Sequence, residues 1–301
     1  MNKLLIIGGP TGVGKSELAV KLAQRYGDAI IVGADSMQIY KGMDIGTGKI
    51  SKDEMKGIRH TMIDIVQPND DFSVQKYVEN AKQIIDSALA CGTLPIVVGG
   101  TGMYINALIN EQNFADAPPN PQIRKKYYDI CEQRGAKYLH EILQNADPES
   151  AKKIPESDVK RTVRALEIYE LTGRSKSEIV TTKKSEYDVK FFVLDMERTK
   201  LYERINSRVD KMLSSGLIEE VISLKEYWQC KSMQAIGYTE IIKKLHSGND
   251  PLLAADEIKQ NTRRYAKRQM TFLRWIDADK TYASEDFYEN VSQIADKWLE
   301  E

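Results

Sequence analysis

The chain has 301 residues, 29% charged and 8% aromatic, with a formal net charge of −1. That length suffices for a large core and two domains, and the composition is that of an ordinary globular protein, which excludes a general polycation; a nucleic-acid site must be a local basic patch. No apolar run reaches membrane-spanning length, no signal peptide is expected, and the isolated Cys91, Cys131 and Cys230 suit a reducing cytoplasm and argue against disulfides or a zinc module, as the scattered His60, His140 and His246 argue against a metal cluster.

The apolar run Leu4–Ile7 predicts a buried strand, and Glu17–Arg25 a helix with Leu18, Ala19, Leu22 and Ala23 on one face. Between them Gly9, Pro10, Thr11, Gly12, Val13, Gly14, Lys15 and Ser16 carry the spacing G-x-x-x-x-G-K-S of a P-loop. The glycines allow a tight turn that aims backbone N–H groups inward, and the helix N-terminus adds partial positive charge. Lys15 supplies a full charge, and the Ser16 hydroxyl suits Mg²⁺. The loop predicts a di- or triphosphate ligand, of ATP or of another molecule.

Ala29–Val32 reads as a second strand, followed by Asp35-Ser36-Met37-Gln38. Asp35 sits where ligands bind in open α/β sheets, beyond a strand's carboxyl end. There it is either a metal or proton-handling carboxylate or a cap of the next element. Arg59–Val66 predicts a strand, Ser73 an N-cap for a helix over Val74–Ala90, and Pro95–Gly99 a core strand running into Gly100-Thr101-Gly102. The last strand lacks the terminal Asp of many P-loop ATPases and GTPases. These elements predict an α/β, P-loop NTPase-like core with a mostly parallel sheet flanked by helices.

Residues 116–121, with Pro118, Pro119 and Pro121, read as a rigid connector. From Gln122 to about Thr182 every strong pattern is helical, with Ser157 as an N-cap and Gly173 as a stop for one helix. Lys160, Arg161 and Arg164 cluster near that helix's start, either as a ligand site or as an ordinary solvated face. The expected organisation is residues 1–116 as the first part of the core, 117–183 as an all-helical insertion domain, and 184–301 as the return to the core. Val189–Leu194 resumes the sheet. Arg198–Ser214 is a helix with Leu201, Ile205, Val209 and Met212 inward. Arg204 and Arg208 lie on its flank, placed either to clamp a diphosphate or to pair with Glu203 or Asp210. Gln234-Ala235-Ile236-Gly237-Tyr238 marks a helix start or a tight backbone approach. Ile258–Trp275 carries Lys259, Arg263, Arg264, Lys267, Arg268 and Arg274 with no acidic residue and with Tyr265, Phe272 and Trp275 interleaved, which suits a nucleic-acid backbone or an acidic partner helix.

Taken together, GPTGVGKS (Gly9–Ser16), DSMQIYKGMDIGT (Asp35–Thr47), PIVVGGTGMY (Pro95–Tyr104), KRTVRALEIYELTGRS (Lys160–Ser175), LYERINSRVDKML (Leu201–Leu213), QAIGY (Gln234–Tyr238) and TRRYAKRQMTFLRW (Thr262–Trp275) resemble the bacterial tRNA dimethylallyltransferases, or tRNA isopentenyltransferases, over nearly the whole chain. The resemblance implies transfer of a dimethylallyl group from dimethylallyl diphosphate to N6 of the adenosine 3′ to the anticodon, in tRNAs reading codons that begin with U; a monomer in the cytoplasm is expected. It implies that the P-loop holds the prenyl diphosphate, with Ser16 on Mg²⁺; that Asp35 is the catalytic carboxylate; and that Arg208 grips the departing diphosphate. It further implies tRNA contacts at Asp35, Ser36, Met37, Gln38, Thr101, Arg124, Lys160, Arg161, Thr162, Val163, Arg164, Gln234, Ala235, Ile236, Gly237, Tyr238 and Thr239. The P-loop departs from the T-A-S-G-K-T of many relatives by conservative changes, and no zinc-finger extension of the eukaryotic kind is expected. A P-loop small-molecule or nucleoside kinase is the alternative activity, and a non-catalytic RNA-binding protein the third reading.

Overall fold

The computed structural model describes residues 2–110, 117–179, 183–284 and 286–301. In chain order the first elements are β1 (Lys3–Gly8), α1 (Lys15–Tyr26), β2 (Ala29–Gly33), the short α2 (Lys52–Met55), β3 (Arg59–Thr61), α3 (Val74–Ala90), β4 (Leu94–Gly99) and α4 (Gly102–Ile109). Next come α5 (Pro121–Ala146), α6 (Pro148–Lys153), α7 (Val159–Thr172) and α8 (Lys176–Ile179). The chain then returns through β5 (Asp188–Leu194), α9 (Arg198–Ser214), α10 (Leu217–Ser223), α11 (Tyr238–His246), α12 (Ala255–Trp275), β6 (Lys280–Ala283) and α13 (Phe287–Glu300).

The strands form one six-stranded sheet in the order β3-β2-β4-β1-β5-β6, and each pairing is parallel. Sheets of this kind carry helices on both faces, so their strands read as continuous apolar runs. β1 obeys the rule: all six of its residues are buried. The core packs β1, β4 and β5 residues such as Leu5, Ile7, Val98 and Phe192 against Leu18, Leu22 and Ala23 of α1 and Val291, Ala295 and Trp298 of α13. A second core forms where Ile39, Tyr40 and Met43 meet Val209, Leu217, Val221, Tyr238 and Ile241. It fixes the segment that follows Asp35 against α9–α11.

The chain divides into two compact units, Met1–Ile109 with Glu186–Glu301, and Asn110–Ser185. The second has its own apolar core of Tyr127, Leu139, Leu143, Val163 and Leu166. Residue 116 of the expected connector and residues 180–182 at the end of the expected helical stretch lie outside the described residues.

Three local expectations change. The strand over Arg59–Val66 ends at Thr61, because Met62 and Asp64 take left-handed backbone (φ 60° and 54°) and only Val66 bridges again, to Tyr40. The cap of α7 is Asp158, whose carboxylate accepts from the Arg161 N–H, rather than Ser157; a carboxylate at that end also meets the helix dipole. The long helical pattern after Gln122 breaks inside α5 at Gly135 (φ 87°, ψ 163°). β6 and α13 lie beyond the last strong motif and close the sheet on its far edge.

Candidate active site

The carboxyl ends of β2, β4 and β1 lie side by side, and each carries one part of the site. After β1, the P-loop turns through Gly12 (φ 83°) and Gly14 (φ 108°), backbone that side chains with a Cβ rarely adopt. The N–H groups of Gly12, Gly14, Lys15 and Ser16 have no partner among the described residues, which leaves them for an anion at the N-terminus of α1. Lys15 Nζ reaches back to the Pro10 carbonyl at 2.8 Å. The cradle is narrower than the sequence pattern suggests. Pro10 has no N–H to give, the Thr11 N–H donates to Gln269 Oε1 at 2.9 Å, and the Val13 side chain is fully buried in the core.

After β2, Asp35 does two jobs. Its Oδ1 accepts from the N–H of Met37 (2.9 Å) and more weakly of Gln38 (3.4 Å), the cap expected of a carboxylate there. Its Oδ2 accepts no hydrogen bond among the described residues. After β4, the Thr101 hydroxyl accepts from the Ser36 N–H at 3.0 Å, and the Ala34 N–H donates to the Val98 carbonyl at 2.7 Å, so the two strand ends are locked together.

Arg208 enters from α9. Its Nη2 donates to the Gly48 carbonyl at 3.1 Å. The competing pairing with Asp210 does not form, since Asp210 is 2.6 Å from Lys259. Arg204 stands by Gly14, its guanidinium 3.7 Å from where a Cβ there would lie. Lys15, Asp35 and Arg208 act on one another electrostatically. Burial pushes the Lys15 ammonium down to about 8, Asp35 partly offsetting this and Arg208 adding to it. Burial likewise lowers Arg208, opposed by Asp35 and Glu54. Two cations with depressed affinity for their protons, acted on by Asp35 and, at Arg208, by Glu54 as well, make an arrangement suited to an anion.

Two further residues belong here whose place at the crevice the motif pattern did not indicate. Gln269, buried in α12, accepts from Thr11 and donates through Nε2 to the Gly100 carbonyl at 3.1 Å, tying the P-loop to the end of β4. The Tyr265 phenol, one turn earlier, faces Asp35 and Thr101, and burial, then the Asp35 charge, pushes its pKa up. In the sequence Tyr265 stood out only as an aromatic interleaved in the basic run, and Gln269 carried no signal of its own there.

The basic helix α12 is less of a patch than its sequence. Lys259 pairs with Asp210, Arg263 donates to Asn206 at 2.6 Å, and Arg274 pairs with Asp195 at 3.2 Å. Arg264, Lys267 and Arg268 remain exposed, and Trp275 is 71% exposed. Of the stretch Gln234–Thr239, Gln234 is exposed and Ala235, Ile236 and Thr239 half-buried, whereas Gly237 and Tyr238 are buried. Tyr238 therefore serves as a packing and hydrogen-bonding residue and not as a surface contact.

In the helical unit, Lys160 and Arg161 are exposed. Thr162 and Val163 are buried, because they face the unit's core across α7; their side chains are not available for tRNA. Arg124 and Arg164 both clamp the fully buried Glu167 carboxylate, Arg124 bidentately at 2.8 and 3.0 Å and Arg164 at 2.5 Å, while the Asn120 N–H adds a third donor at 2.6 Å. Burial alone would raise the Glu167 pKa, but these donors hold it below the usual range. No group of three or more potential metal-binding His, Cys, Asp or Glu side chains occurs among the described residues, and none of their helices is long and apolar enough to cross a membrane.

Comparison with known proteins matches residues 38–275 to the family model described as IPP transferase. The chain is 45% identical to the tRNA dimethylallyltransferase of Caldanaerobacter subterraneus subsp. tengcongensis, over 96% of both chains, and 46% identical to that of Oceanobacillus iheyensis, over 90% of this chain and 88% of the other. It superposes on the crystal structure of a tRNA isopentenylpyrophosphate transferase from Bacillus halodurans with a TM-score of 0.73 at 39% identity, covering 99% and 96% of the two chains. It matches a eukaryotic dimethylallyltransferase captured acting on tRNA with a TM-score of 0.80 at 30% identity, covering 97% of this chain and 77% of the other.

Proposed function

The chain belongs to the IPP transferase family, the tRNA dimethylallyltransferases, and from that premise we propose how its crevice carries out the transfer. The activity is a tRNA modification in which a prenyl group is moved onto tRNA; a P-loop kinase is not favoured by any of these relationships. The donor is dimethylallyl diphosphate. The acceptor is N6 of the adenosine 3′ to the anticodon, in tRNAs that read codons beginning with U. The protein acts as a monomer in the cytoplasm.

The observation that carries the residue assignment is the convergence of Lys15, Asp35 and Arg208 beside unbonded P-loop N–H groups. The N–H groups of Gly12, Gly14, Lys15 and Ser16 receive the diphosphate oxygens, and the two cations take its charge. The lone pair of N6 attacks C1 of the dimethylallyl group as the bond from C1 to the diphosphate oxygen breaks. Diphosphate departs with that electron pair, and N6 gives up a proton. An exocyclic adenine amine is a poor nucleophile. Asp35 Oδ2 accepts its hydrogen bond, holds it in line and takes the proton, while Oδ1 stays fixed by Met37 and Gln38. Charge developing on the departing diphosphate is met by Lys15 and Arg208, placed before the reaction begins. Reaching this crevice requires the adenosine to leave its stack.

Mg²⁺ fits the donor set. Ser16 is exposed with its hydroxyl free among the described residues, and a hard cation needs only that oxygen, diphosphate oxygens and water. Bound there, it would neutralise diphosphate charge. tRNA binding rests on Lys160 and Arg161 of the helical unit, on Arg264, Lys267 and Arg268 of α12, and on Ser36, Met37, Gln38, Thr101, Gln234, Ala235, Ile236 and Thr239, by charge and shape more than by sequence.

The test is a transfer assay with Mg²⁺, radiolabelled dimethylallyl diphosphate and unmodified tRNA carrying adenosine beside the anticodon, with ATP replacing the donor in a parallel tube. Label entering the RNA and lost with Asp35→Ala supports the reading. ATP consumed with a small acceptor, and no label in RNA, sinks it.

A further inference from the structure

The loop Asp44–Lys49 touches the site at Arg208 and Gln38. The Gly48 carbonyl accepts from Arg208, and the Thr47 and Gly48 carbonyls each lie 3.3 Å from Gln38 Nε2. The approach is close: a Cβ on Gly48 would fall 1.6 Å from Arg208 Nη2. From its other side the loop is held by Glu220, on α10 and half-buried. Oε2 of Glu220 accepts the N–H groups of Asp44 (2.9 Å) and Ile45 (2.7 Å), and Oε1 accepts that of Gly46 (3.0 Å) and the Tyr238 hydroxyl (2.6 Å). Four donors fill the lone pairs of one carboxylate. The Tyr238 ring also presses on Gly46, where a Cβ would come within 2.4 Å of it. Lys49, whose side chain is almost fully buried, closes the far end on the Tyr40 carbonyl, Asp44 and Asp64.

None of this is demanded by α10, whose own cap and buried face use other residues. A carboxylate that gathers three successive N–H groups dictates the loop's conformation, and the Gly48 carbonyl dictates where the Arg208 guanidinium stands. We infer that Glu220 is a positioning residue of the transferase: with Tyr238 as its orienting partner it sets the Asp44–Gly48 backbone, and through the Gly48 carbonyl it aims Arg208 at the departing diphosphate. The inference rests on the reading of Arg208 as the diphosphate grip. Displacement of such a group by about 1 Å is enough to cost a large factor in rate. Glu220→Gln keeps the size of the side chain but turns one acceptor oxygen into an N–H₂ donor facing backbone N–H groups.

The experiment is a double-mutant cycle of Glu220→Gln and Arg208→Ala, read as kcat and KM for dimethylallyl diphosphate at saturating tRNA, and as the Kd of inorganic diphosphate where turnover is too low. Glu220→Gln alone should lower kcat/KM for the donor about 10-fold, with KM for tRNA changed less than about twofold. In the Arg208→Ala background it should add less than about twofold. Amide exchange at Asp44–Gly46 should rise, with the rest of α10 unaffected. Tyr238→Phe, which removes one of the four donors, should give the same pattern at smaller size and serves in the cycle if Glu220→Gln does not fold. An equal loss in both backgrounds, or a Glu220→Gln protein with native donor kinetics, overturns the inference. A native protein that transfers no label overturns the underlying function instead, so the two failures are distinguishable.

Discussion

Lys15 and Arg208 in the crevice and Arg124 and Arg164 in the helical unit are all partly or largely buried cations, yet they are put to opposite uses. Arg124 and Arg164 share the Glu167 carboxylate, reinforced by the Asn120 N–H and the Ala117 carbonyl, so their charge is already answered. Among the described residues Lys15 and Arg208 hold only backbone carbonyls by hydrogen bond; both feel Asp35 at a distance, and Arg208 feels Glu54 as well. The first arrangement makes a rigid joint between the start of α5 and α7. The second leaves net positive charge in a low-dielectric place, which costs stability until an anion arrives. A basic residue in a sequence becomes a ligand site only where folding leaves it uncompensated.

The largest effect should come from Asp35, the carboxylate that acts on both crevice cations. Asp35→Asn keeps the Oδ1 cap but loses the proton acceptor, and we expect kcat to fall by about 10²–10⁴-fold with tRNA affinity changed less than about threefold. Equal losses in turnover and affinity would make Asp35 a binding residue. Arg208→Ala should lower kcat/KM for the donor by about 10²–10³-fold, the usual size for one preorganised group on a developing anion, while filter binding of tRNA stays near native.

The joint in the helical unit should answer differently. Glu167→Ala strands two arginines and is expected to cost that unit about 2–4 kcal/mol in denaturant unfolding. Donor KM measured well below the melting temperature should be unchanged. A donor KM that moved with Glu167→Ala would erase the contrast drawn between the two regions.

Lys15 supplies a pH test. Its pKa is lowered to about 8 in the free protein, so the cation is present below that pH and lost above it. The kcat/KM for dimethylallyl diphosphate, which reports the free enzyme, should therefore decline on the alkaline side of about 8. In Lys15→Arg the limb should vanish, at a lower plateau, because guanidinium keeps its charge. A limb retained in Lys15→Arg belongs to another group.

The smallest expected effect separates answered from unanswered cations on the surface. Replacing Arg264, Lys267 and Arg268 together by Gln should reduce the slope of log Kd for tRNA against log salt by about 2, near 0.7–0.9 per phosphate contact. Replacing Arg263 and Lys259, which are engaged by Asn206 and Asp210, should leave that slope nearly alone.

Much of this could be read along the chain. The P-loop, the buried strands β1, β2, β4 and β5, the caps at Ser73 and Gly173 and the α9 stripe are local: each depends on a few neighbouring residues and on the period of the apolar pattern. Asp35 was legible for the same reason, as a carboxylate just past a strand. The structure shows the cap, made by Oδ1, and among the described residues Oδ2 accepts no hydrogen bond that would block the second role. The early end of β3 was not legible, since a left-handed turn at Met62 and Asp64 leaves no mark in an apolar run.

Residue type and short spacing specify the parts: a P-loop, a carboxylate, an arginine on a helix flank and a basic helix. Which of the charges stay uncompensated depends on the folded chain. Glu167 lies 43 residues from Arg124, Asp210 lies on a different helix from Lys259, and Glu220 lies 174 residues from the Gly46 amide it holds. Compensation of charge and capture of backbone amides act over a few ångströms in space and at any separation along the chain, so no local pattern carries them.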